Sequence, residues 1–233
     1  MADLPLNTGF SGVPPVSADL LSVLPSSADI FDQLADALAA EGYAVMPDAL
    51  PPALAADLLL RVTRFDDDQF RSAGVGRQGD YLLNPFVRSD EIHWLSDADG
   101  AERQYLDWME QLRGALNQRL FLGLFDYEAH FARYQPGAFY KKHLDAFKGR
   151  SNRVLSTVFY LNPGWLEADG GQLLIYGDSD EVVDRVNPLM GTLVVFLSDK
   201  VPHEVLAARR NRFSIAGWFR VNNSLNQHLD PPR

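Results

Sequence analysis

After Phe125 the chain breaks into short pieces, and this texture constrains its fold more than any other feature. Strand-length runs fall at 127–134, 138–145, 153–161, 171–177, 181–186, 191–197, 202–208 and 213–221. Between them stand Gly137, Asn162-Pro163-Gly164, Gly170-Gly171, Gly177-Asp178, Asn187-Pro188 and Asn211. These residues turn a chain by tolerating left-handed backbone or by presetting φ. Strands this short, regularly interrupted, predict two sheets closed on each other as a jelly roll or barrel.

Upstream, the period changes from two to about 3.6. Ser26 or Ser27 can cap a helix over 28–41, with Ile30, Phe31, Leu34 and Leu38 on one face and Gly42 as its stop. A short strand follows at 43–46, then a helix opened by Pro51-Pro52 and running to about Val62. Glycines 74, 76 and 79 and Pro85 make the stretch from Phe65 to Phe86 a mobile loop, a loosely paired hairpin or an ordinary surface connection. Residues 87–95 predict a strand through Trp94, and 101–121 the longest helix, with Leu106, Met109, Leu112, Leu116 and Leu120 as its buried stripe. The expected class is mainly β with packed helices (α+β): a double-stranded β-helix, or jelly roll, with N-terminal helices supporting one sheet. The expected organisation is a flexible arm over 1–26 and a single domain over 27–233. That domain has helical support to about 125 and a core from about 126 to 221.

Composition narrows the chemistry. There are no cysteines, which excludes disulfides, thiolate metal sites and thiol nucleophiles. A formal charge of −10 argues against a general nucleic-acid binder. Lys141, Lys142, Lys148, Arg150 and Arg153 still cluster locally, as a basic groove or as a solvated hairpin loop. No apolar run approaches the ~20 residues of a membrane helix, and the N-terminus lacks a basic segment followed by an apolar one. The expectation is a cytoplasmic monomer with no membrane or nucleic-acid partner.

Of five histidines, two stand out. His143 and Asp145, two apart, share one face of a strand. His203 lies sixty positions on and Arg212 nine beyond that. Two imidazoles and a carboxylate can hold one face of an iron(II) ion and leave the other positions open. On the last strand Arg212, Ser214, Ala216 and Trp218 share a face, opposite Phe213, Ile215 and Phe219. Arg212 and Ser214 would then look into the same cavity as His203. An arginine buried in a β core needs an anion, which a bound dicarboxylate such as 2-oxoglutarate would supply. Val154, Ser156, Val158 and Tyr160 share another face, and the Tyr160 hydroxyl, in an apolar cavity, can meet the same carboxylate.

The stretches RYQPGAFYKKHLD, RVLSTVFYLNPGW, DGGQLLIY, GTLVVFLSDKVPHEV and RNRFSIAGWF, in this order, resemble the 2-oxoglutarate/Fe(II) dioxygenases. They are most similar to bacterial prolyl 4-hydroxylases related to the hypoxia-inducible-factor enzymes. The resemblance covers about 88–221 and implies Fe(II), 2-oxoglutarate and O2, with ascorbate as a possible reductant. It assigns His143, Asp145 and His203 to the metal, Arg212 and Tyr160 to the distal carboxylate, and Tyr134, Leu173, Val205 and Trp218 to the co-substrate pocket. Arg153 and Asp90 match polar positions at the substrate mouth, where Trp94 is also placed, and 70–87 matches a substrate-covering loop. Tyr140 aligns with a substrate-side position, but its parity opposes His143, so it faces outward unless a bulge intervenes. The implied reaction is trans-4-hydroxylation of a prolyl residue in a protein, with release of succinate and CO2 and elongation factor Tu as candidate substrate. Two alternatives stay open: hydroxylation of free proline or another small amino-acid-like molecule, and a non-catalytic jelly-roll binding module.

Overall fold

The computed structural model describes residues 27–74, 84, 86–146 and 151–222. The expected N-terminal arm, most of the 70–87 loop, and Lys148 and Arg150 of the basic cluster lie outside these residues.

Among the described residues three α-helices and eleven strands follow one another as α1 (Ser27–Glu41), β1 (Tyr43–Met46), α2 (Pro52–Thr63), β2 (Arg71–Ser72), β3 (Glu91–Trp94), α3 (Gly100–Leu120), β4 (Leu124–Tyr134), β5 (Tyr140–His143), β6 (Arg153–Tyr160), β7 (Leu173–Tyr176), β8 (Val182–Val186), β9 (Leu193–Leu197), β10 (His203–Val205) and β11 (Arg212–Val221). Every run from 127 onward that was expected to be a strand contains one, but 138–145 is strand only over Tyr140–His143, with Asp145 in a bend beyond it, and 202–208 only over His203–Val205. The stretch 87–95 is strand only over Glu91–Trp94: Arg88 leaves that line and bridges Tyr140 instead. The start of the 65–86 region is a paired hairpin, with Arg71 and Ser72 opposite Ile92 and Glu91.

The strands form a seven-stranded sheet, β1-β9-β6-β11-β4-β3-β2, and a four-stranded sheet, β5-β10-β7-β8, antiparallel throughout. Alternation along each strand divides the interior in two. Phe131, Leu155, Phe159, Leu193, Val195, Ile215 and Phe219 of the larger sheet pack against Ile30, Leu34, Leu58, Met109, Leu112 and Leu116 of the helices. Ala132, Tyr134, Tyr160, Val194 and Phe196 on its other face meet Leu173, Ile175 and Val205 of the smaller sheet. The helices therefore support one outer face and leave the space between the sheets for a site. Helix α3 starts where the Asp99 carboxylate accepts from the backbone N–H groups of Ala101 and Glu102, satisfying donors that the first turn leaves orphaned.

Val154 departs from the expected alternation: it packs on the helix side together with its neighbour Leu155. The β6–β11 register shifts at Phe219/Arg220, and such a shift puts successive residues on one face.

Candidate functional site

Strand pairing brings the two imidazoles together. His143 and His203 are direct partners across β5 and β10, with ring centroids 4.2 Å apart. Each ring donates from Nδ1 to a backbone carbonyl two residues earlier, Lys141 at 2.7 Å and Val201 at 3.1 Å. That bond fixes the tautomer and leaves Nε2 as a bare acceptor turned inward. Asp145, two residues past His143, puts Oδ1 3.4 Å from His143 Nε2 and Oδ2 3.8 Å from His203 Nε2. The three donor atoms lie within 4.8 Å of one another. Burial, then the neighbouring His143, lowers the His203 pKa to about 4, so the ring is neutral at ordinary pH. Burial alone would raise Asp145, but His203, His143 and the Ser156 hydroxyl outweigh it and hold the carboxyl well below its usual range. Neutral imidazole and ionised carboxylate are the ligand forms, and a two-nitrogen, one-oxygen face suits iron(II) with open positions beyond it.

Asp145 is itself held. Its Oδ2 accepts from Ser156 Oγ at 2.6 Å and from Trp218 Nε1 at 3.1 Å, and Ser156 touches Ser198 Oγ at 2.9 Å. The sequence reading placed Trp218 in the co-substrate pocket and gave Ser156 and Ser198 no role. Parity had put Ser156 on the same face as Tyr160, which was the available signal.

Across the same cavity, Arg212 begins β11 opposite Tyr134 of β4. Its guanidinium carbon lies 4.8 Å from the Tyr134 ring and 5.0 Å from the Tyr160 ring. Nε donates to the Gly171 carbonyl at 2.9 Å, and a terminal nitrogen reaches Ser214 Oγ at 3.4 Å. Gly171 has φ +69°, and a Cβ there would come 3.0 Å from Arg212 Cδ, so glycine is what lets the arginine lie across that strand end. Among the described residues no carboxylate pairs with Arg212, which is 1% exposed. The buried Tyr160 hydroxyl beside it has no hydrogen-bond partner of good geometry. Burial raises the Tyr160 and Tyr134 pKa values, so both hydroxyls stay protonated donors. Leu173 and Val205 supply apolar walls. A buried cation and an orphaned hydroxyl in one apolar pocket fit the distal carboxylate of a dicarboxylate such as 2-oxoglutarate.

The mouth differs from expectation in detail. Tyr140 faces inward: its ring stacks on His143 at 3.5 Å and 17°, because β5 and β10 shift register between His203 and Val205. Burial pushes its pKa up to about 12. Arg88, which the sequence reading missed, lies 4.3 Å over this ring. Asp90 lines the cleft beside Arg88 but is itself nearly inaccessible. It is 2% exposed and grips Arg88 through both oxygens, at 2.8 and 2.5 Å. Arg153 is likewise occupied, pairing with Glu128 at 3.0 Å and covering the Trp218 ring at 3.5 Å. Trp94 is half-exposed at the rim, edge-on to His130, which in turn lies 5.5 Å from Trp218. Beside the Arg88 stack a cleft of about 590 Å³ is lined by Ser72, Asn84, Arg88, Asp90, Gln135 and Ala138 among others.

Known proteins place this arrangement. Residues 129–220 match the family model of the 2OG-Fe(II) oxygenase superfamily. The hypoxia-inducible factor prolyl hydroxylase of Caenorhabditis elegans is 28% identical over 153 residues, covering 61% of this chain and 21% of that protein. Mouse prolyl hydroxylase EGLN3 is 32% identical over 85 residues, covering 36% of this chain and 35% of that protein. The chain thus spans about a third or less of these curated relatives. Among solved structures, a Pseudomonas putida prolyl-4-hydroxylase is 42% identical with a TM-score of 0.75, covering 83% of this chain and 100% of that one. A Trichoplax adhaerens prolyl hydroxylase in complex with a hypoxia-inducible-factor peptide fragment shares the fold, at 24% identity, a TM-score of 0.72 and coverage of 83% and 90%. An identity of 42% along a relative's entire length, with the family model falling on the strands that bring the His143–Asp145–His203 cluster together, leaves one conclusion: the chain belongs to the 2OG-Fe(II) oxygenase superfamily.

Proposed function

We propose that the chain is an iron(II)- and 2-oxoglutarate-dependent prolyl 4-hydroxylase acting on a protein. It would convert a prolyl residue to trans-4-hydroxyproline and release succinate and CO2. The observation that carries this reading is the buried Arg212, free of any carboxylate among the described residues and flanked by the orphaned Tyr160 hydroxyl, in the cavity that also holds the triad. A prolyl residue in a protein is favoured over a small molecule by the names of the relatives and by the peptide bound to the Trichoplax enzyme.

The geometry supports the following roles. His143, Asp145 and His203 hold the metal. Arg212 and Tyr160, with Ser214 and Tyr134 beside them, fix the far carboxylate of 2-oxoglutarate, while Leu173, Val205 and Trp218 keep water from the chain between its ends. When bound, iron(II) and 2-oxoglutarate would supply the electrons that activate O2, so that one of its atoms enters a C–H bond and the other leaves in succinate. Tyr140 and Trp94 border the substrate. Asp90 and Arg153 act at the mouth by holding Arg88 and Trp218 in place. Ascorbate would serve as the reductant that returns oxidised iron to the ferrous state. Elongation factor Tu is the candidate substrate on the bacterial resemblance, and the enzyme is taken to work as a cytoplasmic monomer. The described residues from 27 to 222 would form its single catalytic domain.

The test is 2-oxoglutarate turnover with Fe(II) and O2, using purified elongation factor Tu or free proline as substrate and mass spectrometry of the product. A gain of one oxygen atom on a proline-containing peptide, absent with Arg212→Ala, is the expected result. Turnover with free proline alone would replace the protein substrate by a small one. Failure of the wild type to bind metal or consume 2-oxoglutarate would leave only a binding module.

A further inference from the structure

A buried ion network runs along β4 and β11 to the carboxylate of the triad. Arg220 Nε donates to Asp126 Oδ1 at 2.9 Å, and its terminal nitrogens reach Asp126 Oδ2 and Glu128 Oε2, the latter at 3.2 Å. The other oxygen of Glu128 accepts from Arg153 Nε at 3.3 Å and from its terminal nitrogen at 3.0 Å. Arg153 lies on the Trp218 ring at 3.5 Å, and Trp218 Nε1 donates to Asp145 Oδ2. Register explains the alignment: Trp218 is the partner of Glu128 across β4–β11 and of Ser156 across β6–β11. Glu128 and Arg220 are buried, at 7% and 4% exposure. Such pairs contribute little to stability, and their best-attested use is to select one geometry.

We infer that Glu128 is a positioning residue for the metal site, acting through Arg153 and Trp218. This rests on the triad being the metal site. Glu128 pins the Arg153 guanidinium, and the cation on the indole face restrains the tilt of the ring. The plane of the ring sets the direction of its N–H. That N–H and the Ser156 hydroxyl both donate to Asp145 Oδ2, which lies 3.8 Å from His203 Nε2, leaving Oδ1, which faces His143 Nε2, as the oxygen with no such donor to bind the ion. A carboxylate held to one oxygen keeps a coordination position open for the co-substrate or O2. With Glu128 gone, Arg153 can turn toward solvent, Trp218 loses its clamp and Asp145 can rotate.

Anaerobic Co(II) titration, read by the visible d–d band, tests this apart from turnover. The set is wild type, Glu128→Gln, Trp218→Phe, the double variant, and His143→Ala as the control that should not bind. Trp218→Phe should weaken Co(II) binding about tenfold, at the low end of losses for residues that orient a metal ligand. Glu128→Gln should weaken it several-fold and alter the band, but add nothing in the Trp218→Phe background, since both act on one hydrogen bond. Should Glu128→Gln fail to fold, Glu128→Asp, which keeps the charge and shortens the reach, is expected to give the same pattern. A folded Glu128 variant with wild-type affinity and band overturns the inference, as do losses that multiply in the double variant. Wild type that binds no Co(II) overturns the metal-site reading first and this inference with it.

Discussion

Burial and close polar neighbours together decide the charge states of the groups around this site, and the charge states decide what they can hold. His203 is kept neutral, Asp145 ionised, and the Tyr134 and Tyr160 hydroxyls protonated. Arg212→Met, which keeps the volume and removes the cation, should weaken 2-oxoglutarate binding by about tenfold or more, the scale of a charged hydrogen bond. Metal affinity should be unchanged, because Arg212 touches none of the three ligands; calorimetry with Mn(II) and then 2-oxoglutarate separates the two. His130 gives a pH prediction away from the triad. Burial, then the charge of Arg88, lowers its pKa from the ordinary 6.5 to about 4. The unfolded chain takes up a proton as pH falls through 6.5, whereas the folded chain resists until about 4. The contribution of the neutral ring is therefore complete above 6.5 and lost as pH falls toward 4, at up to about 1.4 kcal/mol per pH unit. Denaturant unfolding of the metal-free protein across that window should show a shallower acid slope for His130→Gln than for wild type.

At the scale of elements, β11 organises the molecule. It pairs with β4 on one side and β6 on the other, places Arg212, Ser214 and Trp218 between the sheets, and turns Ile215 and Phe219 toward the helices. Close approach at its centre requires Gly217. A Cβ there would strike the Tyr127 hydroxyl and come 2.9 Å from Ala129 Cβ. That hydroxyl cannot readily give way, since it bonds Tyr105 at 3.1 Å and Thr157 at 2.8 Å. Gly217→Ala should cost about 1–3 kcal/mol, the scale of overpacking, as a lower urea midpoint with unchanged slope. Strand positions and faces were legible here because alternation along one strand needs no knowledge of its neighbours. Tyr140 was not: the shift that turns it inward lies in the pairing of β5 with β10, and a one-residue offset reverses the face of whatever follows.

For the whole molecule, the proposed site spans both sheets. Its two histidines lie on β5 and β10 of the smaller sheet, and Arg212, Tyr160 and Tyr134 lie on the larger one. A co-substrate that chelates the metal and reaches Arg212 would tie the sheets together. Metal with 2-oxoglutarate should therefore raise Tm by more than the two separate shifts combined. Occupancy at a hundred times Kd adds about 2.7 kcal/mol, or several degrees for a chain this size. Differential scanning fluorimetry with Mn(II) checks this, and Arg212→Met should abolish the excess. Among the described residues no helix is long and apolar enough to cross a membrane.

By itself the sequence determined what is local or repeats along one strand: helix faces, turn positions, and the inward set Arg212, Ser214 and Trp218, whereas Asp145, expected on a strand with His143, lies in the bend just past it. Only the tertiary structure decided which groups those side chains meet. Asp90 and Arg153, which the resemblance puts at the substrate mouth, carry ion pairs with Arg88 and Glu128 that the sequence did not reveal. Ser156 and Trp218 converge on Asp145 from two different strands. The physical reason is that periodicity sets the direction of a side chain, whereas its partner depends on register between strands far apart in the chain. Charged groups in a nearly dry interior then settle on whatever counter-charge that register brings within reach.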